Sequence, residues 1–341
     1  MLRSCLVMVC LWLSPELALA QAPTRPELVT AETEAAIQQS LEWLARQQDP
    51  QTGAFGTQPE FSRSVGLTAL AGLAMLSSGS TPEAGLYREE LQLCTRYLLD
   101  RTAPNGFIIE DASQAQGPMY GHGFAVLYLA EVYGMSTQPE LRGKLRRSVD
   151  LIITSQNDEG GWRYFPKPDE ADISVTVCQV MALRAARNAG LSVPKEVIQK
   201  AVDYIRRCQN PDGGFRYRVN DAAESRLPRS AAALVALYSS GVTEGPVVSD
   251  GLRYMQRYVP GPRTTRDPQY YYYAVYYSSL ATWHAGEQNW KTWYPALRDE
   301  LLRLRHPNGH WTDPWIGNDY ATAMALIALQ LPYDYVPIFE R

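Results

Sequence analysis

The chain has 341 residues, with 32 Lys and Arg against 36 Asp and Glu and a formal charge of −4. That balance argues against nucleic acid as a partner, because neutralising phosphates needs a basic face. Beyond the leader only Cys94, Cys178 and Cys208 remain, an odd and sparse set that reads as buried free thiols rather than a disulfide framework.

At the N-terminus, Arg3 precedes an apolar run over residues 5–13, and Ala18-Leu19-Ala20 supplies the small residues of a signal-peptidase site. The run falls short of the roughly 20 apolar residues that span a bilayer, and no later segment reaches that length. The expectation is a signal peptide over 1–20, export to the periplasm or the exterior, and one mature domain over 21–341. Membrane contact is left open.

A repeat follows. Five turns align: Gln48 to Gly53-Ala54-Phe55, Asn105-Gly106-Phe107, Gln156 to Gly161-Trp162, Gln209 to Gly214-Phe215, and His306 to Gly309-His310-Trp311. Their aromatics fall 52, 55, 53 and 96 residues apart. The last interval is nearly two periods, and Tyr258-Val259-Pro260-Gly261 stands midway as a degenerate copy. Six repeats of about 50 residues are therefore predicted.

Each repeat reads as two helices. Before the turn, apolar residues recur at helical spacing among charges (Ile37, Leu41, Leu44; Val149, Ile152, Ile153; Val202, Ile205), the pattern of an outer helix with one wet face. After it, segments such as 65–74 and 231–237 are apolar or small nearly all round, the pattern of a helix buried on most sides. Glycines end the inner helices and prolines open the next outer ones. The last inner helix lacks the polar cap that an open solenoid needs. An all-α fold is predicted, an (α/α)6 toroid of six inner and six outer helices. Alternation then puts all long turns and inner-helix N-termini on one rim, where a pocket mouth belongs.

Trp43-Leu44 to Phe55, Leu151-Ile152 with Gln156 to Trp162, and Tyr204-Ile205 with Gln209 to Phe215 resemble the QW-type repeat of one superfamily. It comprises squalene-hopene cyclase, oxidosqualene cyclase and protein prenyltransferase β-subunits. The resemblance spans the whole mature chain and implies a central pocket for an apolar, isoprenoid-type ligand. Thr102 and His306 replace the glutamine in two copies. The turn residues themselves read as structural, glutamine bonding helix ends and the aromatic packing between repeats.

Class II cyclases of that superfamily protonate their substrate with an Asp-x-Asp-Asp motif at the start of an inner helix. Asp169-Glu170-Ala171-Asp172 lies at the matching place, so Asp172, Asp169 and Glu170 are the candidate acids. Ala171 stands at the proton-donating position, which argues against catalysis and for Asp172 as a helix cap. The zinc set of the prenyltransferases is not matched by Cys178 and His284, and no metal or cofactor is expected. Residues 270–277 hold six tyrosines, of which Tyr272, Tyr273 and Tyr276 are candidates to line the interior. Arg63, Tyr120, His122, Arg226, Arg229, Asp267, Asp319 and Tyr320 all lie near inner-helix starts and complete the predicted mouth. His122 stands between glycines that would leave space beside it. Two other readings stay open. One is a non-catalytic binding or scaffold module; the other is a polysaccharide-acting toroid using two of Asp172, Asp267 and Asp319.

Overall fold

The structure, a computed structural model, describes residues 25–110, 117–136, 138–261 and 268–341. The predicted signal peptide and Asp267 lie outside the described residues. Among those described, twelve α-helices and no strand form. The outer helices are α1 (Ala31–Ala45), α3 (Arg88–Asp100), α5 (Leu141–Thr154), α7 (Lys195–Arg207), α9 (Pro246–Met255) and α11 (Glu287–Leu304). They alternate with the inner helices α2 (Val65–Leu76), α4 (Pro118–Tyr133), α6 (Ile173–Asn188), α8 (Leu227–Ser239), α10 (Tyr271–His284) and α12 (Asn318–Gln330).

The two classes differ as their sequences dictate. Every residue of α2 is buried, whereas α7 buries Val197, Ala201, Val202, Tyr204 and Ile205 and turns its charged side chains to water. Each inner helix packs on the next, and α12 returns to pack on α2, so the ring is closed. The three thiols are buried and free.

The repeated turn is a clasp between neighbouring repeats. Gln156 Nε2 donates to the carbonyl of Gly160 within its own turn and to that of Val197 on the next outer helix, at 2.9 and 2.8 Å. Gln48 does the same to Gly53 and Glu90, and Gln209 to Gly213 and Val247. A second tie holds the turn's aromatic: the amides of Phe55, Trp162, Phe215 and Trp311 each donate to a hydroxyl in the first turn of the following inner helix, Thr68, Thr176, Ser230 and Thr322. Backbone donors that would be orphaned at a buried turn are thereby satisfied. Gly160 is required where it stands, because its φ is +99° and a Cβ there would lie 2.2 Å from the Lys200 carbonyl oxygen.

Where the last repeat meets the first, the chemistry changes. His306 replaces the clasp glutamine, and Arg305 bridges to α1 instead, with Nε to Ser40 Oγ at 2.9 Å and Nη2 to Gln39 Oε1 at 2.6 Å. Arg298 Nη1 reaches the Leu28 carbonyl at 2.8 Å, and Gln330 Nε2 that of Ala74 on α2 at 3.0 Å.

After α12 the chain leaves the ring wall. Residues 331–341 cross its short-link end, burying Val336, Ile338 and Phe339. Trp283 Nε1 on α10 donates to the Phe339 carbonyl at 2.8 Å, and the Ile338 amide donates to Glu131 Oε2 on α4 at 3.4 Å.

Candidate functional site

Asp172 is the N-cap of α6, as its position ahead of an apolar helix predicts, with Oδ1 accepting from the Val175 amide at 2.9 Å. It is fully buried. Its second oxygen, Oδ2, accepts from Arg163 Nη1 at 3.2 Å. Burial pushes the Asp172 carboxyl up to about 6, against the opposing pull of the Val175 amide, Arg163 and the Tyr217 hydroxyl. The position beside it is closed to chemistry. Ala171 is buried and packs on the turn, where a Cβ at Gly161 would lie 2.6 Å from the Ala171 methyl.

Arg163 was not among the residues expected to matter, yet it ties this rim together. Its guanidinium lies 4.5 Å from the Tyr164 ring centroid and 5.8 Å from that of Tyr217, and Nε pairs with Glu170 at 2.6 Å. The two tyrosines share a hydroxyl hydrogen bond of 2.9 Å. Backbone bonds fix both loops to the helices beside them: the Met119 amide on α4 donates to the Tyr164 carbonyl, and the Ile173 amide on α6 to that of Tyr217, both at 3.0 Å. A signal for this pair stands in the sequence, because Trp162-Arg163-Tyr164 and Phe215-Arg216-Tyr217 are the same tripeptide type in consecutive repeats.

Tyr120 continues the wall, its ring centroid 6.1 Å from that of Tyr164. From α10, Tyr273 and Tyr277 pack against each other with tilted rings, centroids 4.5 Å apart, and the Tyr277 hydroxyl meets Cys178 Sγ on α6 at 3.3 Å. Tyr273 reaches the Ser174 carbonyl in the first turn of α6 at 3.4 Å. Burial raises the phenols of Tyr120 and Tyr273, and the charge of Asp172 adds to the rise at both, so both are neutral near pH 7. Deeper along the ring, Tyr276 packs edge-on to Phe124 and Phe339. Tyr272 is buried against Tyr271, whose hydroxyl turns outward to Glu300 on α11. The tyrosine run therefore serves several faces, and Tyr273, Tyr276 and Tyr277 are its inward members.

The other predicted residues separate from this group. Asp169 is exposed and caps the Glu170 amide, and Glu170 is an exposed partner of Arg163. Arg226 and Arg229 both pair with Glu224, at 2.9 and 3.4 Å. Arg63 has a left-handed backbone (φ 53°) and pairs with Asp49 at 3.5 Å. Asp319 is buried at the start of α12, with Oδ1 held by the Tyr320 amide and Oδ2 lacking a hydrogen-bond partner among the described residues. Burial raises its carboxyl. Tyr320 beside it is buried, which raises its phenol well above the ordinary value.

His122 lies in the ring wall, fully buried. It occupies the place held by Thr68, Thr176, Ser230 and Thr322 in other repeats: Nδ1 accepts from the Ile108 amide at 3.2 Å and Nε2 donates to the Ser148 carbonyl at 3.3 Å. That pairing assigns the Nε2–H tautomer. Ser148 Oγ, donating to the Gly106 carbonyl at 2.7 Å, does the work of the glutamine that Thr102 replaces. Burial lowers the imidazole to about 4, so the ring is neutral near pH 7. Because its folded value lies below the ordinary 6.5, its contribution to stability is present above that value and is lost as pH falls toward about 4. His122→Thr is expected to abolish this acid limb in urea titrations and, by losing the Ser148 bond and ring packing, to cost about 1–3 kcal/mol at pH 7.

Comparison with known proteins agrees with the architecture. Residues 124–272 match the family described as squalene-hopene cyclase C-terminal domain. Drimenyl diphosphate synthase of Streptomyces showdoensis is 26% identical over 222 residues, 64% of this chain, and the match covers 37% of the enzyme's length. The type II terpene cyclase MstE of Scytonema superposes with a TM-score of 0.61 at 16% identity, covering 91% of this chain and 100% of that one. An inactive variant of the α-1,6-mannanase GH76A of Salegentibacter, in complex with α-1,6-mannotriose, reaches 0.65 at 10% identity, covering 88% and 99%. The repeat, the closed double ring and the match over residues 124–272 make the chain similar to the squalene-hopene cyclase-like superfamily.

Proposed function

We propose that the protein is an exported, terpene cyclase-like toroid that takes an apolar, isoprenoid-type ligand at the tyrosine-walled end of its ring and holds it without protonating it. The observation that carries this reading is the state of Asp172. A cyclase acid must present a proton to an alkene, whereas each Asp172 oxygen accepts from an N–H donor, one of them a guanidinium. Those bonds favour the anion, and with the carboxyl at about 6 it is mostly ionised at neutral pH. An anion behind aromatic faces stabilises positive charge and polarisable chains; it does not generate a carbocation. The leader over residues 1–20 supports export.

The test adds squalene or geranylgeraniol to the purified mature chain and follows intrinsic fluorescence and extractable products. Saturable binding without cyclised product is expected, with Tyr273→Ala weakening it by roughly tenfold through loss of aromatic contact. Absence of both binding and turnover would sink the proposal. A cyclised product that disappears in Asp172→Asn would replace it with an acid-catalysed one.

A polysaccharide-acting toroid is the second reading, favoured by Asp319. It is another buried carboxyl with a raised pKa at an inner-helix start, with one oxygen unpartnered among the described residues. Release of reducing ends from an α-1,6-mannan, lost in both Asp172→Asn and Asp319→Asn, would establish it.

A further inference from the structure

We propose that the C-terminal tail is a releasable strap over the short-link mouth of the ring, and that ionisation of Glu131 loosens it. The reading of the ring interior as a ligand compartment underlies the consequence for entry, which is a second access route from the end opposite Asp172.

The tail joins elements from separate parts of the ring. Tyr335 lies over Gly79 beyond α2, Ile338 bonds Glu131 on α4, residues 337–339 pack on α6, and Phe339 meets Tyr276 and Trp283 on α10. Arg341 lies over the Trp283 ring at 3.4 Å. Phe339 thus closes the axis on the same tyrosine that packs on Phe124. A cleft of about 80 Å³ remains beside the strap, lined by Leu76, Ser80, Glu131, Tyr335, Val336 and Pro337 among others.

The anchor on α4 is chemically odd. Glu131 is buried between Ala130 and Val132, yet its one hydrogen bond is to a tail amide, and no cation pairs with it among the described residues. An apolar residue would seal this end more firmly, since an unpaired buried carboxylate is costly when charged. Burial, with Glu340 adding repulsion, raises the carboxyl to about 7, while the Ile338 amide opposes the rise. From α10 the charge of Glu131 reaches the buried Tyr276 phenol, which is itself raised chiefly by burial. The α2 side of the cleft offers Leu76, Gly79, Ser80 and Thr81, none of which titrates, and no α6 group contributes to the shift. Because the docked value lies above the ordinary 4.5, docking is favoured by protonation and weakens as pH rises from about 4.5 through about 7.

The experiment needs no ligand, so its failure is separable from that of the binding proposal. Hydrogen exchange over residues 334–341 is compared at about pH 5.5 and about pH 8.5 in the full chain and in Glu131→Gln, corrected for intrinsic rates. Labelling of the interior thiol Cys178 is mapped by peptide mass in the same samples. Protection of the tail and of Cys178 should fall by roughly tenfold or more at the higher pH in the parent and hold in Glu131→Gln. Phe339→Ala, which removes the plug but keeps Glu131, should speed Cys178 labelling at both pH values. Equal protection of parent and Glu131→Gln at the higher pH overturns the switch. A released tail with Cys178 still protected overturns the second entrance.

Discussion

Trp162→Ala is expected to lower the unfolding free energy by about 3–5 kcal/mol, the largest effect of any single truncation argued here. The indole is buried to 1% exposure and fills the space between the third repeat and its neighbours. Its Nε1 also donates to the Ile152 carbonyl at 2.7 Å, near the C-terminal end of α5, so truncation removes both packing and a helix-end bond. Urea titration measures the loss. Trp162→Phe is the informative control, because Phe55 and Phe215 fill the matching place in two other repeats without an indole donor. It is expected to cost about 1–2 kcal/mol, the price of the lost bond and a small void. If both substitutions cost the same, the indole donor rather than the filled volume holds the repeat.

The second large effect is one of pH. Burial holds the Asp172 carboxyl at about 6 against an ordinary 3.8, so the folded chain binds this proton more tightly than the unfolded one. The resulting stabilisation is complete below about 3.8 and is lost as pH rises through about 6, a swing of about 2–3 kcal/mol. Asp172→Asn keeps a capping side chain and removes the titration. The stability difference between parent and variant should therefore shift by that amount in favour of the variant between about pH 4 and about pH 7.5. A constant difference would show that Arg163 and the Val175 amide fully offset burial. At neutral pH the fold therefore carries an ionised Asp172 at a cost.

The ring was legible because its signals are local. A glycine turn closed by an aromatic, repeated at one spacing, leaves a mark at Gly53, Gly106, Gly160, Gly213 and Gly309 that survives divergence elsewhere. Asp172 was legible as a cap for the same reason, since capping is decided within four residues. Partners across the ring were not. Arg226 and Arg229 share a partner close in sequence, Glu224, which their spacing did not single out. The glycines flanking His122 suggested open space, but they serve helix contact: a Cβ at Gly121 would lie 2.9 Å from Val65, and one at Gly123 2.9 Å from Cys178. Arg163 was missed because a cation after a turn aromatic reads as solvated surface. It is half-buried, and one of the rings beside it, Tyr217, lies one full repeat away. The tail has no periodicity, so nothing in its sequence announced that it crosses the ring.

The seam formed by Arg305, Arg298 and Gln330 has a consequence for how the molecule comes apart. A linear array of helix pairs unravels from its ends, where a unit has one neighbour instead of two. Here the first and last units have each other, and the seam uses guanidinium bonds to α1 where three of the internal joints use a glutamine amide. No unit is able to peel away without breaking two joints at once. Unfolding is therefore an opening of the circle before it is a loss of helices, and the arginine seam, chemically unlike the glutamine joints, is where that first break would be distinct.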